Sequence, residues 1–231
     1  MTTAGAAFDR LASRYDELWS SSPNGRVQRE AVWRRIDSLF RSGDSILDLG
    51  CGIGDDALHF QSRGVNVVGI DASEEMVRIA RSRGVEASIS PLSAVSCQFD
   101  GAISNFGMLN CIERLAPVAE DLARLIRPGG KLAICVIGAF CLRETCRYAA
   151  QLRFSKVFRR LHPGGTMASI GVHVRYPSVR RIERAFKRDF RMDRWYGIGL
   201  CSPNDAWERR LAHLPFLRSM ADHRLLIFHR V

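Results

Sequence analysis

The sequence predicts an α/β fold: a parallel sheet covered by helices on both faces. Three observations carry this. Between Ser45 and Ile137, short apolar runs alternate with helical stretches at the spacing of strand–helix–strand units. A glycine-rich loop, Gly50-Cys51-Gly52-Ile53-Gly54, follows the first of these runs. The chain, 231 residues with 46% hydrophobic and 25% charged side chains, has the length and composition of a domain with a sizeable core.

Taken in order, Phe8, Leu11, Ala12, Tyr15 and Leu18 follow helical spacing and predict a helix from Phe8 to Trp19. A second helix runs from about Val27 to Phe40, after Ser-Ser-Pro-Asn-Gly. Ser45–Leu49 reads as a strand, and the glycine loop then opens a helix through about Ser62. Val65–Ile70 is a second strand, ending at Asp71. Ser73 suits the N-cap of the next helix, with Glu74 and Glu75 in its first turn. Its capping box lacks the acid, because the third position after Ser73 is Met76. Gly84 ends that helix. Strands follow at Val85–Ser90 and Gly101–Ser104, then a helix at Ala116–Ile126, the turn Arg127-Pro128-Gly129-Gly130, and a strand at Leu132–Ile137. Beyond it we expect one helix from Phe140 to Leu161, a strand at Val172–Arg175, a helix at Val179–Phe186, and closing strands at Phe190–Tyr196 and Leu225–His229.

The formal charge of +10 is unevenly spread. Residues 1–138 carry 15 basic and 17 acidic side chains; residues 139–231 carry 19 and 7, a net of +12. No apolar run approaches the roughly 20 residues of a spanning helix, and the N-terminus has no signal-peptide pattern. Seven cysteines without C-x-x-C spacing fit a reducing cytoplasm, and neither a disulfide framework nor a metal site is indicated.

Three glycines at alternate positions past a strand let the backbone turn sharply and approach a ligand closely. Asp71, at the end of the second strand, is placed to accept both ribose hydroxyls of an adenosine. The two carboxylates that open the next helix, Asp55 and Asp56, would repel a pyrophosphate and tolerate a cationic nucleoside. This favours S-adenosylmethionine over NAD; the same pair also complements the helix dipole.

With these residues in view, the chain resembles the class I S-adenosylmethionine-dependent methyltransferases of the small-molecule type, which act on quinones, lipids and carboxylates. The matching segments are FDRLASRYDELW, ILDLGCGIG, VVGIDASEEMVRIAR, FDGAISNFGMLNCI and LARLIRPGGKLAICV, in the family's order from Phe8 to Val136. The resemblance implies a Rossmann-like, mostly parallel seven-stranded sheet, with an N-terminal helical cap (1–42), a cofactor-binding core (43–138) and a substrate-covering segment with the closing strands (139–231). It implies that Gly50 and Gly52, with the backbone around Cys51, contact the methionine moiety, that Asp71 holds the ribose, and that Ala72 and Met76 line the adenine side. Tyr15 would close over the cofactor, and Asn105 would face its amino-acid end. Many relatives place an acid after the third strand to bind the adenine amine. Here that stretch is Ser90-Pro91-Leu92-Ser93-Ala94, so Leu92 or Ser93 would substitute.

Methyl transfer from a sulfonium is an in-line displacement that needs orientation and exclusion of water, and a base only for a weakly acidic nucleophile. Candidate bases are His173 and Tyr176, with His162, His213 and His223 behind them. His173 could equally be an ordinary strand histidine, and His223 a cap on the sheet edge. Twelve arginines between Arg143 and Arg194 either offer bidentate partners to an anionic substrate or form a solvated basic face. The function expected is methyl transfer to oxygen or carbon of a small apolar or anionic metabolite. Two alternatives are a nucleic-acid methyltransferase and a membrane-surface lipid-binding protein. Asn105-Phe106-Gly107-Met108 lacks the (D/N)-P-P-(Y/F) run of base-amine methylases, which argues against nucleic acid. A helix mixing Phe140, Leu142, Tyr148, Leu152 and Phe154 with arginines suits peripheral contact with an anionic membrane.

Overall fold

The computed structural model describes residues 3–201, 205–211 and 214–231. Helices α1 (Thr3–Tyr15) and α2 (Pro23–Ile36) precede the alternating units β1 (Ser45–Leu49), α3 (Asp55–Gln61), β2 (Asn66–Asp71), α4 (Glu74–Ser82), β3 (Glu86–Ile89), β4 (Phe99–Ser104), α5 (Leu115–Leu125) and β5 (Ile126–Ile137). After these come α6 (Leu142–Ala150), α7 (Phe154–Val157), the short strands β6 (Thr166–Met167) and β7 (His173–Val174), α8 (Val179–Phe186), β8 (Phe190–Ile198), α9 (Asp205–Leu211) and β9 (His223–Arg230). The main sheet has seven strands in the order β3-β2-β1-β4-β5-β9-β8. Strands β1 to β5 are parallel, and β9 is antiparallel to both β5 and β8.

Both faces are buried, because alternate strand residues serve opposite cores. Ile46, Val67, Ile103, Ala133 and Leu225 pack with Ala31 and Val32 of α2 and with Ala57 and Phe60 of α3. Leu47, Ile70, Ala102, Leu132 and Phe228 pack with Leu122 of α5 and Phe186 of α8. The strand order reverses at β1 and β4, so the loops after these strands part and open a crevice at their carboxyl ends.

The cores follow the apolar pattern of the sequence; β5 starts at Ile126 and runs through the turn expected at Arg127–Gly130, β6 and α9 were not expected, and three helices also differ. The first helix begins at Thr3, and residues Asp16–Ser20 form one π-helical turn rather than continuing it. The second begins at Pro23, where Ser22 caps the amide of Gly25. The single helix expected from Phe140 to Leu161 is broken. Leu152 takes a left-handed φ of +56°, and the chain folds back on itself. The cause is long-range pairing. In an unbroken helix Glu144 and Arg160 would stand about 24 Å apart, whereas here the guanidinium reaches Glu144 at 2.5 Å and Asp222 at 2.8 Å. Tyr148 sits in the fold-back with Arg147, Lys156 and Arg159 all within 6 Å of its ring centre.

Candidate active site

A cavity of about 640 Å³ occupies the crevice above β1, β2 and β4, within the usual range of small-molecule sites. The loop after β1 forms its floor. Gly50, Gly52 and Gly54 have φ of +78°, +53° and +86°, a region L side chains rarely adopt. At Gly50 a Cβ would lie 2.6 Å from Cγ of Met108; at Gly52 it would meet no neighbouring atom and would enter the cavity itself. Ile70 anchors the loop from β2, its carbonyl accepting from the amides of Gly50 (2.8 Å) and Cys51 (3.1 Å).

Asp71 joins the two strand ends. One carboxylate oxygen accepts from the Gly52 amide and the other from the Ser73 amide, both at 2.9 Å. Each oxygen keeps a lone pair for a ligand hydroxyl. Burial, partly offset by these backbone bonds, raises the Asp71 pKa above the usual carboxylate value. The N-cap of α4 forms as the sequence predicts, Ser73 Oγ accepting from Met76 at 3.2 Å. The Ser73 amide, which a capping-box acid would take, is held by Asp71 instead, while Asp9 of α1 accepts from Ser73 Oγ (2.6 Å) and from the Glu75 amide (3.1 Å). That latch lays α1 across the cavity, where Ala12 packs on Ile53 and Met76, and Phe8 and Tyr15 form part of the wall. Burial pushes the Tyr15 phenol up to about 12.

At the end of β4, Asn105 is 8% exposed and lines the cavity, and neither atom of its amide has a hydrogen-bond partner in the protein. Phe106 and Gly107 follow with φ of +54° and +103°. The Phe106 ring meets Trp19 and His223 edge-on, at 5.8 and 5.4 Å, and the Arg29 guanidinium lies 5.1 Å from its centre.

Of the residues expected to hold the cofactor, the cavity wall brings together Tyr15, Gly50, Gly52, Asp71, Ala72, Met76, Leu92 and Asn105. Two stand outside it. Cys51 is 7% exposed, and its sulfur packs against Gly69. Ser93 lies beyond Ser90, Pro91 and Leu92, its carbonyl accepting from Arg124 at 3.2 Å. The bases named from sequence also stand away from the cavity. Val172 and Val174 face it, so strand alternation turns His173 away. The Tyr176 hydroxyl pairs with Thr166 at 3.0 Å. His213 lies outside the described residues. Asp55 and Asp56 do not act on a ligand's charge directly: Asp55 pairs with Arg83 (2.8 Å) and Arg29 (3.3 Å), and Asp56 with Arg29 (2.9 Å) and Trp33 (2.7 Å). Among the described residues no arginine lines the cavity, and Asp71 is the one side chain of full charge in its wall.

Sequence reasoning missed β6, the partner that makes a hairpin of the strand expected at Val172–Arg175; Ala168, Ile170, Val172 and Val174 of that hairpin close the cavity on one side. It also missed Asn110, fully buried, which fixes that hairpin to the sheet. Its amide donates to the carbonyls of Ile137 (3.0 Å) and Arg175 (2.6 Å) and accepts from the Ile137 amide (2.8 Å). Both lie far apart in sequence from what they join, and only an Asn in an otherwise apolar turn hinted at the clamp.

Sheet order, the glycine loop after β1 and the carboxylate ending β2 together define a class I S-adenosylmethionine-dependent methyltransferase fold. Residues 46–130 match the family model described as a methyltransferase domain. Across 229 residues the chain is 27% identical to the uncharacterized protein MJ1252 of Methanocaldococcus jannaschii, covering 94% of this chain and 86% of that one. It is 31% identical over 140 residues to demethylmenaquinone methyltransferase of Clavibacter sepedonicus, covering 56% of each, so it spans little more than half of that relative. The CcbJ methyltransferase of Streptomyces caelestis superposes with a TM-score of 0.69 at 15% identity, over 100% of this chain and 98% of that one, which shows the shared fold.

Proposed function

We propose that the protein transfers a methyl group from S-adenosylmethionine to a small apolar acceptor held in this cavity. The observation that carries the reading is Asn105: a buried amide with both polar atoms unpartnered, in the same wall as Asp71 and the Gly50–Gly52 turn. An orphaned buried amide costs about 1–3 kcal/mol, a cost relieved when a bound amino-acid group supplies the partners. Asp71 would take the ribose hydroxyls. Ala72, Met76 and Leu92 would enclose the base, and Tyr15 would close the site from α1. Asn105 and the Gly50–Gly52 backbone would hold the amino-acid end.

The cofactor supplies a methyl group already activated on a sulfonium, so the protein's task is to orient the acceptor and keep water out. Phe106, Met108, Ile112, Ile137, Val172 and Val174 supply an apolar wall for that acceptor. Relatedness to a demethylmenaquinone methyltransferase supports an apolar ring compound. Among the described residues no cation stands in the wall, which favours this over a carboxylate, phosphate or nucleic-acid substrate. Besides Asp71, Tyr15 and Cys111 are the titratable groups among the described residues of the wall, and burial raises both pKa values. Neither is a base at neutral pH, so the acceptor brings its own nucleophile and transfer rests on proximity. No helix among the described residues is long and apolar enough to cross a membrane. All seven cysteines are unpaired thiols, which supports a cytoplasmic setting.

The test is a transfer assay with methyl-labelled cofactor against a cell extract. Label should enter the fraction that partitions into organic solvent. Label confined to RNA, DNA or protein, or no transfer at all, would overturn the reading.

A further inference from the structure

Between Thr145 and Ile182 the chain holds eight arginines and lysines and no Asp or Glu. Within that stretch, sixteen residues expose five large apolar side chains: Leu152 (76%), Phe154 (58%), Phe158 (63%), Leu161 (55%) and Met167 (65%). Phe154, Phe158 and Leu161 stand at i, i+4 and i+7 across α7 and the turn after it, one stripe at helical spacing. Such a cluster differs from the scattered apolar residues of an ordinary surface. The stripe is not the one a continuous helix would present, since Tyr148 is buried beneath cations.

The segment is fixed to the body from its other side, through Arg160 to Glu144 and Asp222. Its exposed residues are thus surplus to that anchoring. Leu152 makes the same point. A leucine at φ +56° is strained where glycine would be relaxed, and its side chain faces water. The segment then runs directly into the β6–β7 hairpin, which lines the cavity with Ala168, Ile170, Val172 and Val174.

We propose that this face docks on an anionic lipid bilayer, its apolar stripe entering the headgroup region among cations that meet the lipid charge. The methyl acceptor is then an apolar molecule dissolved in that bilayer, which reaches the cavity past the hairpin. Charge complementarity and aliphatic Leu152, Leu161 and Met167 favour lipid over nucleic acid, whose bases would be met by aromatic platforms alone. The second half of the proposal rests on the methyltransferase reading; docking itself does not.

Sedimentation of the full chain with vesicles tests it. Phosphatidylcholine vesicles should leave the protein in solution, and vesicles containing about one-third phosphatidylglycerol should pellet it, less so as salt is raised. The double variant Phe154→Glu/Phe158→Glu should bind more than about tenfold more weakly, with its melting temperature and its response to S-adenosylmethionine unchanged. Leu152→Gly, which relieves the left-handed strain, should melt higher than the parent and still bind more weakly. No pelleting with anionic vesicles, or pelleting indifferent to these substitutions, would overturn docking; so would binding to tRNA that vesicles fail to compete. Should vesicles bind while S-adenosylmethionine fails to raise the melting temperature, docking stands and the acceptor half falls.

Discussion

Asn105 is where stability and function part. The amide is unpartnered in the protein, so Asn105→Leu should leave the melting temperature unchanged or higher while abolishing the stabilisation that S-adenosylmethionine gives. A fall in the unliganded melting temperature with the cofactor response retained would make Asn105 a structural residue. Asp71→Asn should lose that response too, because an amide would present N–H where the Gly52 and Ser73 amides need an acceptor; thermal shift against cofactor concentration reads it, and an unaltered titration would exclude Asp71 from the ribose site. Asn105 was expected only from the resemblance, whereas Asp71, Gly50 and Gly52 were legible in the sequence because a tight turn at positive φ and a carboxylate at a strand end each leave a local mark. Phe106 and Met108 left none. Their place in the wall depends on the left-handed turn at Phe106 and Gly107, and Phe is not a residue that announces such a turn. His173 was misplaced for a related reason: its strand was legible, but which side of it meets the cavity is decided by a hairpin partner.

Polar ties hold the elements that cover the cavity. Asp9 ties α1 to the N-terminus of α4, and the hydrogen bonds it accepts from Ser73 and Glu75 keep its carboxyl below the ordinary range. We expect Asp9→Ala to loosen α1, raising the dissociation constant for S-adenosylmethionine severalfold, chiefly through faster release. Stopped-flow measurement of cofactor binding checks this, and an unchanged off-rate would mean that α1 is not a lid. Ser73 is legible as a cap, whereas its tie to Asp9 is not, because that acid lies 64 residues earlier. The break between α6 and α7 was invisible for the same reason. Helical spacing from Phe140 to Leu161 is locally consistent, and the pairing of Arg160 with Glu144 and Asp222 overrides it.

At the scale of the whole molecule, the basic half is partly self-neutralised through the tie made by Glu144, Arg160 and Asp222, which joins α6, the turn before Leu161 and the start of β9. Gln28 of α2 also reaches Asp222, at 3.3 Å. Beside this tie His223 is buried between Trp19 and Phe106, and burial lowers its pKa from 6.5 to about 4. Asp222 is itself lowered from 3.8 to about 2: burial opposes the shift, and the charges of His223 and Arg160 outweigh it. For both groups the folded pKa lies below the unfolded one, so each contribution is full at neutral pH and lost on acidification. His223 loses its share as pH falls from about 6.5 to 4, and Asp222 from about 4 to 2. The first step amounts to at most on the order of 3 kcal/mol. His223→Phe should flatten the decline of urea-unfolding free energy between pH 6.5 and 4; a slope equal to the parent's would show that other groups carry it. Charge totals in the sequence located the basic half but not this internal pairing, which requires side chains 16 and 62 residues apart to meet. Within the acid-free segment from Thr145 to Ile182, which continues into the cavity wall, Arg159, Arg160 and Arg175 are paired with carboxylates from outside it. A catalyst that takes its acceptor through such a segment would saturate with the mole fraction of acceptor in the lipid, not with its concentration in the bulk. Adding inert lipid at constant acceptor would then slow turnover by dilution in two dimensions.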